Sequence, residues 1–200
     1  MMGLVGLKCN LAMKVTKTLY VTTRKAWRAW LSKHHRRAEE IWLVFYRKES
    51  GKPRIAYNDA VEEALCFGWI DSTVKRLDDQ RFAQRFSPRN PKTPYSQSNR
   101  ERLRRLLRQG KVVKEVRATL RGIGREEKFR IPPDILAAIK ADKGAWRHFQ
   151  KFSDRYKRIR VGFIDSARRR PREFRKRLDY FVRMTGLNRQ FGFGGIEKYF

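Results

Sequence analysis

Nine residues between positions 69 and 99 have side chains that could line a ligand pocket: Trp69, Asp71, Ser72, Arg85, Arg89, Lys92, Tyr95, Ser96 and Asn99. Arginine offers a planar fork of donors that matches phosphate or carboxylate two atoms at a time. Trp69 and Tyr95 can stack on a ring or base. Free amides at the start of a helix near residue 99 add positive potential. A purely structural account of the same residues also exists, in which Asp71 and Arg85 tie a hairpin to a helix and Trp69 belongs to the core. Asp71, Arg89 and Asn99 stand in turn-like sequence, where folding alone explains a polar residue less well.

A second group is defined by charge. The chain has 49 Lys+Arg against 20 Asp+Glu, a net charge of +29. Residues 100–130 carry 12 basic and 4 acidic side chains, and residues 155–183 carry 12 and 3. Arg100, Arg104, Arg105 and Arg108 lie off the stripe formed by Leu103, Leu106 and Leu107, while Arg168, Arg169, Arg170 and Arg172 form the densest cluster. Such a field attracts polyanions, nucleic acid among them, through sequence-tolerant and salt-dependent contacts. The alternative is a basic source proteome, with these residues forming solvated helix faces. No helix–turn–helix, zinc-finger or RNP pattern supplies base specificity.

Catalytic signatures are missing from the sequence: it contains no GxSxG, HExxH, P-loop or GxGxxG pattern. Glu62 and Glu63 are adjacent, so they diverge on a helix and form no carboxylate pair. Cys66 has no neighbouring histidine to act as base, His34 and His35 lack metal-ligand partners, and His148, between Trp146 and Phe149, reads as a packing or surface residue. No metal or cofactor is expected, and the chain reads as a binding protein. An enzyme acting on a small anionic substrate would have to use the pocket described above. Cys9 and Cys66 give neither a disulfide framework nor a CxxC knuckle, so a reduced, cytoplasmic setting is expected. No run approaches the roughly 20 apolar residues of a membrane span, and the first eight residues are too short for a secretion signal.

Several elements must position these groups. Thr22 or Thr23 can cap a helix over 24–35, in which Trp27, Trp30 and Leu31 share a face. Residues 41–46 are apolar throughout and predict a strand buried on both faces. Asn58 or Asp59 can cap a helix over 59–67, and Gly68 is placed to end it in a left-handed conformation. Residues 73–77 and 81–86 predict a β-hairpin. Pro88, Pro91 and Pro94 predict an irregular loop. Ser98 with Glu101 reads as a capping box for a helix over 99–109, followed by a helix over 111–120. Beyond Pro132 and Pro133, four helices are expected, over 134–141, 144–151, 154–167 and 172–184. The fold class is α+β: a small antiparallel sheet packed with helices in the first half, and a helical C-terminal region. The expected divisions are a flexible extension over 1–16, an α+β region over 17–121, a linker over 122–130, a helical region over 131–185 and a flexible Phe/Gly tail over 186–200.

The ordered series of Thr18 to Val21, Trp27 to Leu31, Trp42 to Tyr46, Ala64 to Ser72 and Arg85 to Arg89 resembles the bacterial YdeI/OmpD-associated family, also labelled bacteriocin-protection proteins. Ile131 to Asp134, Phe152 with Ser153, and the helix pair around 156–167 and 173–177 continue the likeness, which covers roughly 18–110 and 131–184. Departures occur at Tyr95, where the family usually has Trp, at Phe174, where it usually has Thr, and through 111–130. Acidic residues common on the family's helices are largely Arg and Lys here. The resemblance implies a part in bacteriocin or antimicrobial-peptide protection or envelope stress. A strongly positive surface would repel a cationic peptide, so the expected partner is an anionic ligand, with non-specific nucleic-acid binding as the alternative. Oligomeric state is left open by the sequence.

Overall fold

A computed structural model describes residues 14–120, 122–123 and 129–192. The proposed 1–16 extension, the 122–130 linker and the Phe/Gly tail therefore fall largely outside the described residues.

The first half is a four-stranded sheet with helices on one face. Its elements are β1 (Thr18–Leu19), α1 (Arg24–His34), β2 (Ile41–Tyr46), α2 (Tyr57–Cys66), β3 (Trp69–Arg76), β4 (Arg81–Pro88), α3 (Gln97–Arg108) and α4 (Lys114–Thr119). The strand order is β1-β2-β4-β3. The β2–β4 and β4–β3 pairs are antiparallel, as expected, and β1 adds a two-residue parallel edge to β2. Along β2, Ile41, Leu43 and Phe45 point into the main core, where they meet Trp27 and Leu31 of α1 and Val61, Ala64 and Leu65 of α2. Trp42 and Val44 alternate to the opposite face and are also buried, so this strand is apolar at every position. Each such side chain contributes about 1.5–3 kcal/mol relative to exposure. The buried indoles also satisfy their N–H groups: Trp27 donates to the Ala60 carbonyl at 3.0 Å and Trp69 to the His35 carbonyl at 3.1 Å.

Several local expectations need correction. Helix α2 starts at Tyr57 behind Ala56, with neither Asn58 nor Asp59 as cap. Those two side chains turn inward instead, Asn58 to Arg102 at 2.8 Å and Asp59 to Arg24 at 2.9 Å. Ser96, rather than Ser98, caps α3 by accepting from the Asn99 amide at 3.3 Å. Glu101 is drawn away into ion pairs and does not close a capping box. The hairpin is longer than the periodicity predicts, because β3 begins at Trp69 and contains a register shift between Asp71 and Val74. At that irregularity Gln84, which follows the inward set of Phe82 and Phe86, is buried and donates to the Thr73 carbonyl at 3.4 Å. Thr23 caps α1, and Gly68 takes the left-handed conformation at φ 73°, both as the residue types require.

The second half packs α5 (Pro133–Ala141), α6 (Lys143–Lys151), α7 (Asp154–Asp165) and α8 (Pro171–Gly186) around Ile135, Ile139, Phe149, Tyr156, Ile164 and Phe181. Phe191 docks here as well, its amide donating to the Tyr156 hydroxyl at 3.3 Å. The two cores meet where α3 lies against α7. Gly162 makes this contact possible, since a Cβ there would stand 2.6 Å from the Gln97 Cβ.

Candidate functional site

Three carboxylates among the described residues, Glu62, Glu63 and Glu101, are buried. Glu62 is fully buried and pairs with Arg24 and Arg105, and Glu63 is buried beside Arg24 and Arg28. Glu101 is buried between Arg104 at 2.6 Å and Arg158 at 2.8 Å. A buried acid needs such partners, because removing its hydration costs several kcal/mol. These clusters join α1 to α2, α2 to α3, and α3 to α7.

This arrangement divides the basic residues of the sequence reading into two sets. Arg104 binds Glu101 and donates to the Ile123 carbonyl at 3.1 Å, and Arg105 binds Glu62. Arg168 forks onto Asp134 at 2.9 and 3.2 Å and also binds Asp165 at 2.7 Å. Its hydrogen bond holds the Asp134 carboxyl below its ordinary pKa. Arg100 is half-buried on α3. Arg108, Arg169, Arg170 and Arg172 are exposed, and their side chains form no hydrogen bond or ion pair among the described residues. Sequence reasoning missed the continuation of this set along α8. Arg172, Arg175, Lys176, Asp179 and Arg183 border one shallow surface depression, four cations to one acid. They follow at i, i+3, i+4, i+7 and i+11, one helix face about 16 Å long at about 1.5 Å per residue. That spacing was visible in the sequence, but which face α8 buries was not. Tyr180 borders the stripe 41% exposed, with Arg183 over its ring at 5.4 Å.

The nine residues of the first reading do not form one pocket. Trp69 is buried, edge-on to Trp30 with ring centroids 5.8 Å apart, so its faces belong to the core. The pleat separates Asp71 from Arg85: Asp71 pairs with Phe86 and shares its side, whereas Arg85 points the opposite way. Arg85 pairs with Glu40 and approaches Ser72 at 3.4 Å and Ser87 at 3.3 Å. Asp71 accepts from the Tyr57 hydroxyl, and burial with that neighbouring charge pushes the phenol above its ordinary range. Asn99 accepts from Arg102 at 2.9 Å, and Arg102 continues to Asn58. Ser96 is occupied as a cap. Arg89 stacks 3.6 Å over Tyr95, while Lys92 is exposed in the proline loop. Tyr57, Asn58 and Arg102 were not anticipated; Arg102 is 44 positions from Asn58, beyond any local pattern.

Cys66 is buried, and burial pushes its thiol up to about 11, with Glu63 adding to the shift and Arg28 opposing it. Among the described residues no group of three or more His, Cys, Asp or Glu side chains is arranged to hold a metal ion. No helix among them is long and apolar enough to cross a membrane.

Two family models match the chain. Residues 19–119 match one described as a domain of unknown function, DUF8412. Residues 128–187 match one described as bacteriocin-protection, YdeI or OmpD-associated. The resemblance expected from the sequence therefore holds over the C-terminal helices, while the first half falls under the other family. No curated protein and no solved structure gives a significant match.

Proposed function

The chain belongs to the DUF8412 family over residues 19–119, and from that premise, the YdeI/OmpD-associated match of its C-terminal helices and the basic face of α8, we propose a non-enzymatic protein that grips a polyanion. The observation that carries this reading is the sorting of charge. Buried carboxylates are consumed by Arg24, Arg28, Arg104, Arg105 and Arg158, whereas Arg169, Arg170, Arg172 and Arg175 remain at the surface. A stripe about 16 Å long matches roughly five phosphates of one strand at about 3.4 Å axial rise each. The polymer is taken to be the sugar–phosphate backbone of nucleic acid, met in the cytoplasm and held without base specificity. Protection from bacteriocins, which the matched description names, would then be indirect, since a +29 chain repels cationic peptides.

The test is fluorescence anisotropy with labelled duplex DNA and single-stranded RNA across a salt series. The variant Arg169→Gln/Arg170→Gln/Arg172→Gln/Arg175→Gln should bind more weakly, and its log K versus log salt slope should be shallower by about 3–4, near 0.9 per lost phosphate contact. An unchanged slope removes this surface from the reading. Arg89→Ala/Lys92→Ala is the control for the proline loop and should leave binding intact.

A further inference from the structure

We propose that the basic hollow at the end of α1 binds a compact phosphate monoester. Lys33, His35, Arg36 and Arg37 line it, together with Phe67 and Glu115. Its cavity is about 420 Å³, toward the small end of ligand sites, about 300–1,000 Å³. Lys33, Arg36 and Arg37 stand at i, i+3 and i+4, and His35 keeps the helical conformation between them, so the three cations share one side. A helix C-terminus ordinarily disfavours an anion through its unpaired carbonyls. Here those carbonyls are covered. The Leu31 carbonyl accepts from the His35 amide and from the His35 Nδ1, both at 2.9 Å. The His34 carbonyl accepts from the Arg37 and Ala38 amides at 3.0 and 2.9 Å, and the His35 carbonyl accepts from Trp69 at 3.1 Å.

Glu115 shows what the hollow attracts. Its carboxylate pairs with Arg36, both side chains being exposed. Its own amide, followed by the charges of Arg36 and His35, holds that carboxyl below its ordinary pKa. One protein anion therefore already sits among these cations, and it neutralises only Arg36. Lys33 and Arg37 are exposed and form no hydrogen bond or ion pair among the described residues. A single carboxylate would repeat what Glu115 does. A tetrahedral dianion has enough oxygens to accept from Lys33 and Arg37 and to draw Arg36 from Glu115, using the planar fork of each guanidinium. The floor sets the size of the rest of the ligand. Phe67 is only 5% exposed, with the His35 ring edge-on at 5.0 Å, so it offers no open face on which a base could stack. A small polar body carrying one phosphate fits these limits. The inference concerns the first half of the chain and is separate from the polyanion reading of α8, so either can fail alone.

The probe is glycerol 3-phosphate, titrated into the full chain at constant ionic strength and followed by amide NMR shifts, with acetate as the singly charged control. Saturable binding is expected, with shifts centred on Lys33, His35, Arg37 and Phe67 and with acetate weaker by about tenfold, the scale of one charge-assisted contact. Lys33→Gln/Arg37→Gln, at exposed positions, should weaken the phosphate by about tenfold on the same grounds. Glu115→Gln should act in the opposite direction and tighten it by about twofold to fivefold, because an exposed competing ion pair is removed. Shifts scattered over the basic surface, binding that never saturates, equal binding of acetate, or affinities unchanged in both variants would each overturn the proposal. A short RNA without a terminal phosphate provides the remaining arm. If it moved these same amides more tightly than glycerol 3-phosphate, the hollow would belong to a polymer backbone and the monoester assignment would fall.

Discussion

The carboxylate of Glu101 on α3 accepts a hydrogen bond from the Arg158 Nε on α7 at 2.8 Å, and one buried acid thereby joins the sheet-bearing half to the helical half. Arg104 binds the same oxygen at 2.6 Å, and Arg155 stands 3.9 Å from the other. Glu101→Ala leaves clustered cations without their counter-charge. The expected cost is about 3 kcal/mol, at the low end for a broken buried pair because Arg155 and Arg158 keep some water access. Urea denaturation followed by fluorescence and by circular dichroism should change from coincident to separated transitions. Coincident curves with an unchanged midpoint would show that the acid does not hold the halves together.

Gly162→Ala should lower stability by about 1–3 kcal/mol, the usual cost of overpacking. Its new methyl would meet the Gln97 Cβ at 2.6 Å, an atom fixed to the α3 backbone. Adding Gln97→Gly should recover part of the loss in a thermal melt. No recovery would place the strain elsewhere.

Cys66 should resist thiol reagents in the folded protein at pH 8. Its thiol is buried and raised to about 11, so little thiolate exists there. Ellman's reagent should register Cys66 only after denaturant is added. Rapid reaction of the native thiol would contradict its burial.

Acid sensitivity should be carried in part by Glu40. The Thr16 hydroxyl, followed by Arg85 and Trp42, holds its carboxyl below the ordinary value of 4.5. A folded pKa below the unfolded one gives stability that is present above 4.5 and lost as pH falls through the folded value. Glu40→Gln should therefore flatten the loss of melting temperature between neutral pH and pH values below that threshold. A wild-type slope in the variant would exclude the Glu40–Arg85 pair as a contributor.

The main elements were legible because apolar periodicity is local. Trp27 and Leu31 marked α1, residues 41–46 marked a doubly buried strand, and Gly68 marked the end of α2. Strand β1 was not, since two residues carry no period. The polar interior was not legible either. Glu62 and Glu63 look like a solvated helix face until Arg24, Arg28 and Arg105, some 35–43 positions away, fold over them. The same cause undid the nine-residue pocket: the pairing register sent Asp71 and Arg85 to opposite faces, and Trp69 went to the core. The α8 stripe had the right spacing from the start, but only packing against α6 and α7 identifies its outward face.

The contact between Gly162 and Gln97 bears on how such a chain can be rearranged. The two positions lie in segments matched by different families. A chimera that took its C-terminal helices from another protein would inherit whatever residue that protein has opposite Gln97. Any side chain there would push the grafted helix off its seat and pull Arg158 away from Glu101. Exchange of one half would therefore succeed only when the seam residues from both sides travel together.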